Sequence, residues 1–573
     1  MCFAQVCDSG AREADIINLM QELRAALQKV ARDLYKVDIE PELSRPAEQF
    51  GDYSTNLALQ LAGRLNKPPR EIAEALAAKL TSPDVASAEV AGPGFINLTL
   101  SDAALLKNLD AKPVQSLAGQ EILVEFGDPN PFKEMHIGHL YSYIVGDAIS
   151  SLLDASGAQV RHLSYHGDVG LHVAKAIFGM RELKSPAKEP GVAFLGEAYA
   201  YGSQKYDEDA IAKAQIEQIN QAVYSGDDPE VTQLHQMGVE LTFKDFDRTL
   251  NLLGINTDKR YLESQTSGPG IELVKKNIGK VFKESQGAII FEGEKVGLHT
   301  RVFITSKGVP TYETKDLGLV KLKDQDYPKA AHSIVITANE QNEYFKVMMA
   351  ALTEINPQLA AKMTHLGHGF VNLTSGKMSS RTGNVYPAME LLLAVKAAVH
   401  EQYPDSAVRK QVTFAAVKYA FLKHRLGSDI VLDIKESIGL EGNSGPYLQY
   451  AYARARSILD KSDPQGHSRV GGNPVDWIPD QAGDDGRLEP AERSLARKIS
   501  EFPEVVELAT AELLPSHVAT YLYELAQAFN RFYEANRVID DPRQATRLKL
   551  VEAYADVLKN GLGLLNITAP DKL

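Results

Sequence analysis

An apolar run, Ile122-Leu123-Val124-Glu125-Phe126, leads straight into the turn Asp128-Pro129-Asn130-Pro131-Phe132-Lys133-Glu134-Met135-His136-Ile137-Gly138-His139, and the turn leads straight into a helical pattern carrying Leu140, Ile144, Val145, Ala148, Ile149 and Leu152. A strand that hands over to a helix in this way belongs in a parallel sheet covered by helices. A ligand at the turn would sit beyond the C-terminal end of the strand and in front of a helix N-terminus, where free amides and the helix dipole favour phosphate. His136 and His139 are three apart on one helical turn, so both can face that phosphate, and Gly138 between them allows close approach. Imidazoles can hydrogen-bond phosphate oxygens whose charge grows during transfer.

The rest of the chain repeats this character over a limited span. Ala288–Phe291, Arg301–Ile304, Ser333–Ile336 and Val160–Tyr165 read as further strands, several separated by helical patterns, so residues 116–400 are expected to form a parallel sheet with helices on both faces. A polar helical stretch at about 181–260 reads as an insertion. Residues 1–115 look like a small α+β unit, with a helical stripe Ile16, Met20, Leu23, Leu27, Val30, Leu34, a helix from Arg70 to Leu80 behind Pro68-Pro69, and an alternating strand Phe95–Leu100. Residues 401–573 read as nearly all helix, and Val518, Tyr521, Leu522, Leu525, Phe529, Phe532 and Tyr533 form a core-facing stripe. In the break at 462–488, 13 of 27 residues are Gly, Pro or Asp, which makes it a surface loop or, alternatively, a partner-binding loop. A length of 573 residues fits this three-part division.

Composition removes whole classes of function. No apolar run reaches the roughly 18 residues of a membrane helix. The only cysteines are Cys2 and Cys7, which leaves no disulfide framework and no cysteine-ligated zinc site. No basic segment followed by an apolar run opens the chain, so a reducing cytoplasm is expected. The net charge of −14 speaks against nonspecific binding to polyanions, and no DNA partner is expected. Between 407 and 456, however, eight cations face four anions, either a solvated helical surface or a local nucleic-acid patch.

A second motif, Gly376-Lys377-Met378-Ser379-Ser380-Arg381-Thr382-Gly383-Asn384, follows the strand-like Gly369–Leu373, and its Lys377 lies 241 residues beyond His136. Its glycines, hydroxyls and two cations suit a loop that closes on a triphosphate, with Lys377 and Arg381 neutralising leaving-group charge. His-Ile-Gly-His and Lys-Met-Ser-Ser in this order resemble the two ATP-binding motifs of class I aminoacyl-tRNA synthetases. The longer context resembles the arginyl-tRNA synthetase family over nearly the whole chain. Phe50-Gly51-Asp52-Tyr53-Ser54-Thr55-Asn56 through Ala91–Asn97 is similar to that family's N-terminal domain, Asn443–Arg454 to the start of its helical anticodon-binding domain, and Asn560–Ile567 to its ending.

The resemblance implies an α/β fold: a Rossmann-like parallel-sheet catalytic domain, an N-terminal α+β domain that contacts the tRNA elbow, and a C-terminal all-α bundle that binds the anticodon. It implies ligation of arginine to its tRNA through an adenylate, with MgATP as substrate, no protein nucleophile, and a monomer. His136, Gly138, His139, Gly369, Phe370, Val371, Lys377, Met378, Ser379 and Ser380 would meet ATP, the 369–371 backbone facing adenine. Tyr312 and Asp316, four apart on one helical face, would meet the arginine side chain, which demands acidic partners. Glu125 and Asn130 align with substrate-contacting positions, Glu125 toward either the α-amino group or the guanidinium, and Gln341 joins them. Asp128 stands where the family commonly has serine, and either charges the pocket or caps the turn. Ser380 occupies the place of a second lysine, for which Lys133 is the expected substitute. Tyr447, Gln449, Tyr450 and Arg454 would face anticodon bases, while packing between helices is as good an account of each tyrosine alone. A synthetase for another amino acid, a nucleotidylyltransferase and a catalytically silent tRNA-binding paralogue are the alternatives.

Overall fold

A computed structural model of the chain describes residues 19–184, 191–374, 386–404, 407–462 and 486–573. The second motif, Gly376 to Asn384, lies outside the described residues, as do Ile16, both cysteines and nearly all of the 462–488 break.

The first helix, Leu19–Tyr35, buries Leu23, Leu27 and Ala31, each four residues from the last. Pro69 opens the helix Pro69–Lys79, where a missing amide costs nothing. In the strand Phe95–Leu100, Ile96, Leu98 and Leu100 point into the core while the residues between them do not. That strand is central in an antiparallel sheet ordered Leu43–Ser44, Tyr53–Thr55, Phe95–Leu100, Val85–Ala91.

The central sheet is wholly parallel. Its strands lie in the order Lys259–Leu262, Gln159–His166, Glu121–Glu125, His332–Ala338, Met363–His368. Counted along the chain this is 3-2-1-4-5, the order of a doubly wound Rossmann-type sheet. The winding reverses between Glu121–Glu125 and His332–Ala338, and ligands bind such sheets beyond the strand ends at that reversal. Helix Ile137–Ala155 crosses there and is buried nearly all round, as a helix covering a sheet and packed against a second layer must be.

Two expected strands belong elsewhere. Ala288–Phe291 and Arg301–Ile304 pair antiparallel with each other, and Ala288–Phe291 also pairs with Lys283–Ser285, forming a separate three-stranded meander. The physical reason is the connection. Gln286 and Gly287, both at positive φ, make a two-residue hairpin, and no crossover helix is present to bring the strands parallel. Between Gln159–His166 and Lys259–Leu262 stand the helices Val192–Glu208, Ala210–Ser225 and Pro229–Leu253. Val371–Leu373 does not extend the main sheet but pairs with Ile430–Leu432.

From Ala388 onward the regular elements among the described residues are helices apart from that short strand. Helix Ser516–Ala535 buries Val518, Tyr521, Leu522, Leu525, Phe529 and Phe532, and the Phe529 ring stacks on Tyr554 with centroids 3.9 Å apart. Tyr533, expected in the same stripe, is only half-buried and lies under the Arg454 guanidinium. Ion pairs fasten the helical region to the N-terminal unit: Arg45 to Glu504 at 2.7 Å, Arg493 to Asp102 at 2.7 Å, and Arg497 to the buried Asp52 at 3.2 Å. Among the described residues no helix is long and apolar enough to cross a membrane.

Candidate active site

His136 caps helix Ile137–Ala155, and it does so with its ring. Its Nδ1 accepts the amides of Gly138 (3.1 Å) and His139 (3.3 Å), while the His139 Nδ1 accepts the amide of His136 at 3.3 Å. The Ile137 amide donates to the Tyr386 carbonyl at 2.9 Å. The expectation that free amides at this terminus receive phosphate therefore fails, because these amides are already bonded. The two rings are stacked with centroids 3.5 Å apart. Gly138 serves this arrangement rather than a ligand, since a Cβ there would stand 3.1 Å from the His136 ring. Burial, with help from Lys133 and His368, pulls His136 down to about 4, and burial and His136 pull His139 well below the usual imidazole value. Both rings are thus neutral near pH 7. A neutral imidazole that accepts at Nδ1 carries its proton at Nε2, so each ring keeps one donor for a ligand.

Both histidines line a cavity of about 950 Å³ at the reversal of the sheet. The same cavity is lined by Gly138, Gly369, Phe370 and Val371 of the expected nucleotide set, and by Glu125, Asp128, Asn130, Tyr312, Asp316 and Gln341 of the expected arginine set. Residues far apart in sequence are brought together because the strand ends at 125 and 338 and the helix start at 312 converge there. Tyr312 stands exposed at the start of helix Tyr312–Asp326, and Asp316, one turn further, is buried.

The carboxylates have distinct surroundings. Glu125, at the end of the central strand, forms a buried ion pair with Lys323. Asp128, at φ +51, accepts the Tyr165 amide at 2.7 Å. Its carboxyl is held well above the usual range by burial and then by Glu125. Asp316 accepts the Tyr344 hydroxyl and is likewise pushed well up, by burial, then Glu125 and Glu263. Asn130 Oδ1 accepts the Gly167 amide at 2.9 Å. Asp168, next to it, turns away and holds Ser264 through its amide (2.9 Å) and hydroxyl (2.7 Å).

Several sequence expectations need correcting. The Phe370 amide donates to Asp429 at 2.8 Å and is not open to adenine, while its carbonyl accepts from Ile430 at 2.7 Å and keeps one lone pair. Gly369 makes room for the Ser428 backbone, 2.2 Å from where a Cβ would sit. Lys133 is not among the cavity residues, and its ammonium lies 5.4 Å over the Tyr199 ring. Gln449 is fully buried and donates to the Thr568 carbonyl at 2.7 Å, which removes it from any RNA-facing set. Tyr447 accepts from Asn530 at 3.0 Å and packs edge-on to Tyr523, while Arg454 lies 4.4 Å over Tyr533. Of the four, Tyr450 is the exposed one. Lys418, counted in the basic excess, is buried and donates to the Leu253 and Asn566 carbonyls, each at 2.8 Å.

Sequence reasoning missed Tyr344, Glu263 and Lys323. They reach the site from 28, 53 and 7 residues away from Asp316, spacings that carry no local pattern. Only the helical step from Asp316 to Lys323, two turns on, could have flagged one of them.

Three family models match the chain: "Arginyl tRNA synthetase N terminal domain" over residues 18–100, "tRNA synthetases class I (R), catalytic domain" over 101–434, and "DALR anticodon binding domain" over 448–573. Arginine--tRNA ligase of Bacteroides fragilis strain YCH46 is 28% identical, over 94% of this chain and 97% of its own length. The enzyme of that name from Treponema denticola is 28% identical over 96% and 99%. Among solved structures, Thermus thermophilus arginyl-tRNA synthetase superposes with a TM-score of 0.80 at 27% identity, covering 97% of this chain and all of that one. The Plasmodium falciparum structure, at 21% identity and a TM-score of 0.77, shares the fold. A catalytic-domain match spanning more than half the residues, on a parallel sheet whose reversal point holds paired histidines and buried carboxylates, places the chain in the arginyl-tRNA synthetase family of class I.

Proposed function

We propose that the chain joins L-arginine to tRNA(Arg) in two steps at this one cavity. The arginine carboxylate attacks the α-phosphorus of ATP and pyrophosphate leaves. The terminal ribose hydroxyl of the tRNA then attacks the carbonyl of the arginyl-adenylate and AMP leaves. The observation that carries the reading is a single cavity lined at once by two neutral imidazoles with Nε2 protons to donate and by two aspartates that pair with no cation among the described residues.

Catalysis is positioning and charge stabilisation, with no covalent step on the protein. His136 and His139 donate to phosphate oxygens as negative charge builds on them. Lys377 and Arg381 hold the pyrophosphate, and Met378, Ser379 and Ser380 carry the loop that brings them. Asp316, Asp128 and Tyr312 receive the cationic groups of arginine, with Asn130 and Gln341 fixing its polar backbone. Magnesium arrives as the MgATP complex, with phosphate oxygens as its ligands. Residues 1–115 take the tRNA elbow, 116–400 the chemistry and 401–573 the anticodon, where Tyr450 offers a stacking face. The enzyme acts as a cytoplasmic monomer.

Charging of total tRNA with each of the twenty amino acids in parallel tests the reading. Arginine alone is expected to be esterified. Charging with another amino acid, or tight tRNA binding without esterification, would overturn it.

A further inference from the structure

Of the seven carboxylates lining the cavity, Glu340 and Asp429 are exposed, Glu125, Glu263, Glu313 and Asp316 are buried and Asp128 is half-buried, and partners divide the inner five into two kinds. Each buried glutamate has its own cation: Glu313 pairs with Arg301 at 3.0 Å, Glu263 with Lys315 at 2.5 Å, and Glu125 with Lys323. Among the described residues the inner two aspartates have only uncharged donors, the Tyr165 amide for Asp128 and the Tyr344 hydroxyl for Asp316. Lys323 stands behind the wall. It is 3% exposed, is absent from the cavity lining, and sits in the last turn of the helix whose second turn carries Asp316.

The charges that face the aspartates come from four elements. Asp316 faces Glu125 of the central strand, Glu263 of helix Glu263–Lys276, Glu313 and Lys323 of its own helix, and Tyr344 of helix Asn342–Ile355. Asp128 faces Glu125, Asp316 and Lys323. Glu125 favours the protonated form of both aspartates, and Lys323 opposes it at both.

We propose that Lys323 is a specificity-determining positioning residue: it neutralises Glu125 from behind, so that Asp316 and Asp128 are the inner carboxylates left to take an entering cation. The inference rests on the cavity being the arginine site. Without Lys323, a bare buried Glu125 would force the aspartates toward their neutral acids. A neutral acid binds a guanidinium little better than it binds the uncharged ureido group of citrulline.

The test compares steady-state charging and pyrophosphate exchange in five proteins: the wild type, K323M, K323R, E125Q and E125Q/K323M. K323M is expected to raise the KM for arginine by about tenfold or more, the effect of about one unit in the titration of one aspartate. The KM for ATP is expected to stay within about twofold, and the preference for arginine over citrulline as inhibitor to shrink. K323R, which keeps the charge, is expected to retain most of the wild-type value. In the double variant E125Q/K323M no buried charge is stranded, and there the loss from removing Lys323, read against E125Q alone, is expected to shrink to within about threefold. The double variant also keeps the test readable where K323M alone does not fold, as judged by thermal melting. The proposal is overturned by a folded K323M with an unchanged arginine KM, or by a tenfold difference between E125Q and E125Q/K323M. A wild-type protein that does not use arginine overturns the functional reading instead.

Discussion

At the scale of single residues, His136 does two jobs that usually fall to different groups. It closes the helix as a cap with Nδ1 and keeps Nε2 for a ligand. Asparagine is among the best caps but has no second nitrogen at that reach. H136N is therefore expected to lower pyrophosphate exchange by about 100- to 1000-fold while changing stability by less than about 1 kcal/mol. Exchange assays and thermal melts check both halves. The aspartates lead to a second expectation. Burial and Glu125 hold Asp128 and Asp316 above the usual carboxylate range in the free protein, and a bound guanidinium favours their ionised forms. Arginine binding should then release protons, and its KM should rise as pH falls through the raised values, flattening above them. Calorimetry at a series of pH values above the ordinary carboxylate range, in two buffers of different ionisation heat, measures this, and a binding heat independent of buffer counts against it. The histidine pair and the Tyr312/Asp316 step were legible because each lies within one helical turn. That the amides behind the histidines are occupied was not, since Tyr386 closes that terminus from 249 residues away.

At the scale of elements, helices Glu263–Lys276 and Tyr312–Asp326 cross backbone to backbone. A Cβ on Gly270 would stand 2.0 Å from the Thr314 carbonyl oxygen, and one on Gly318 would stand 2.0 Å from that of Thr266. This crossing sets Lys315 against Glu263 and aims Asp316 at the cavity. G318A should push the helices apart, cost about 1–3 kcal/mol and raise the KM for arginine while leaving that for ATP unchanged. Melting and exchange kinetics read the two effects separately. Neither glycine stands out in the sequence, where a glycine in a helix looks like a weak point rather than a contact. The meander at 283–304 was misread for a related reason. Ala288–Phe291 and Arg301–Ile304 are as apolar as the strands of the parallel sheet, and the deciding signal was the connection at 292–300, too short for a crossover helix.

At the scale of the whole molecule, the N-terminal unit and the helical region are joined by buried ions rather than by a linker. Asp52 is 2% exposed, accepts the Leu100 amide at 2.6 Å, and meets both Arg493 and Arg497. Removing one partner of such a cluster strands the others, so D52A is expected to cost about 3–5 kcal/mol and to raise the KM for tRNA with little change in that for arginine. Denaturant melts and charging kinetics check it. The three-part division was legible in the change of hydrophobic period along the chain, but this fastening was not, because its partners lie some 440 residues apart. The strand order has a consequence of its own. Glu121–Glu125 finds one neighbour soon, in Gln159–His166, but its other edge stays open until His332–Ala338 has left the ribosome. Throughout that interval a nascent chain displays an unpaired apolar strand edge, so during synthesis this protein should depend on chaperone shielding far more than its finished form does.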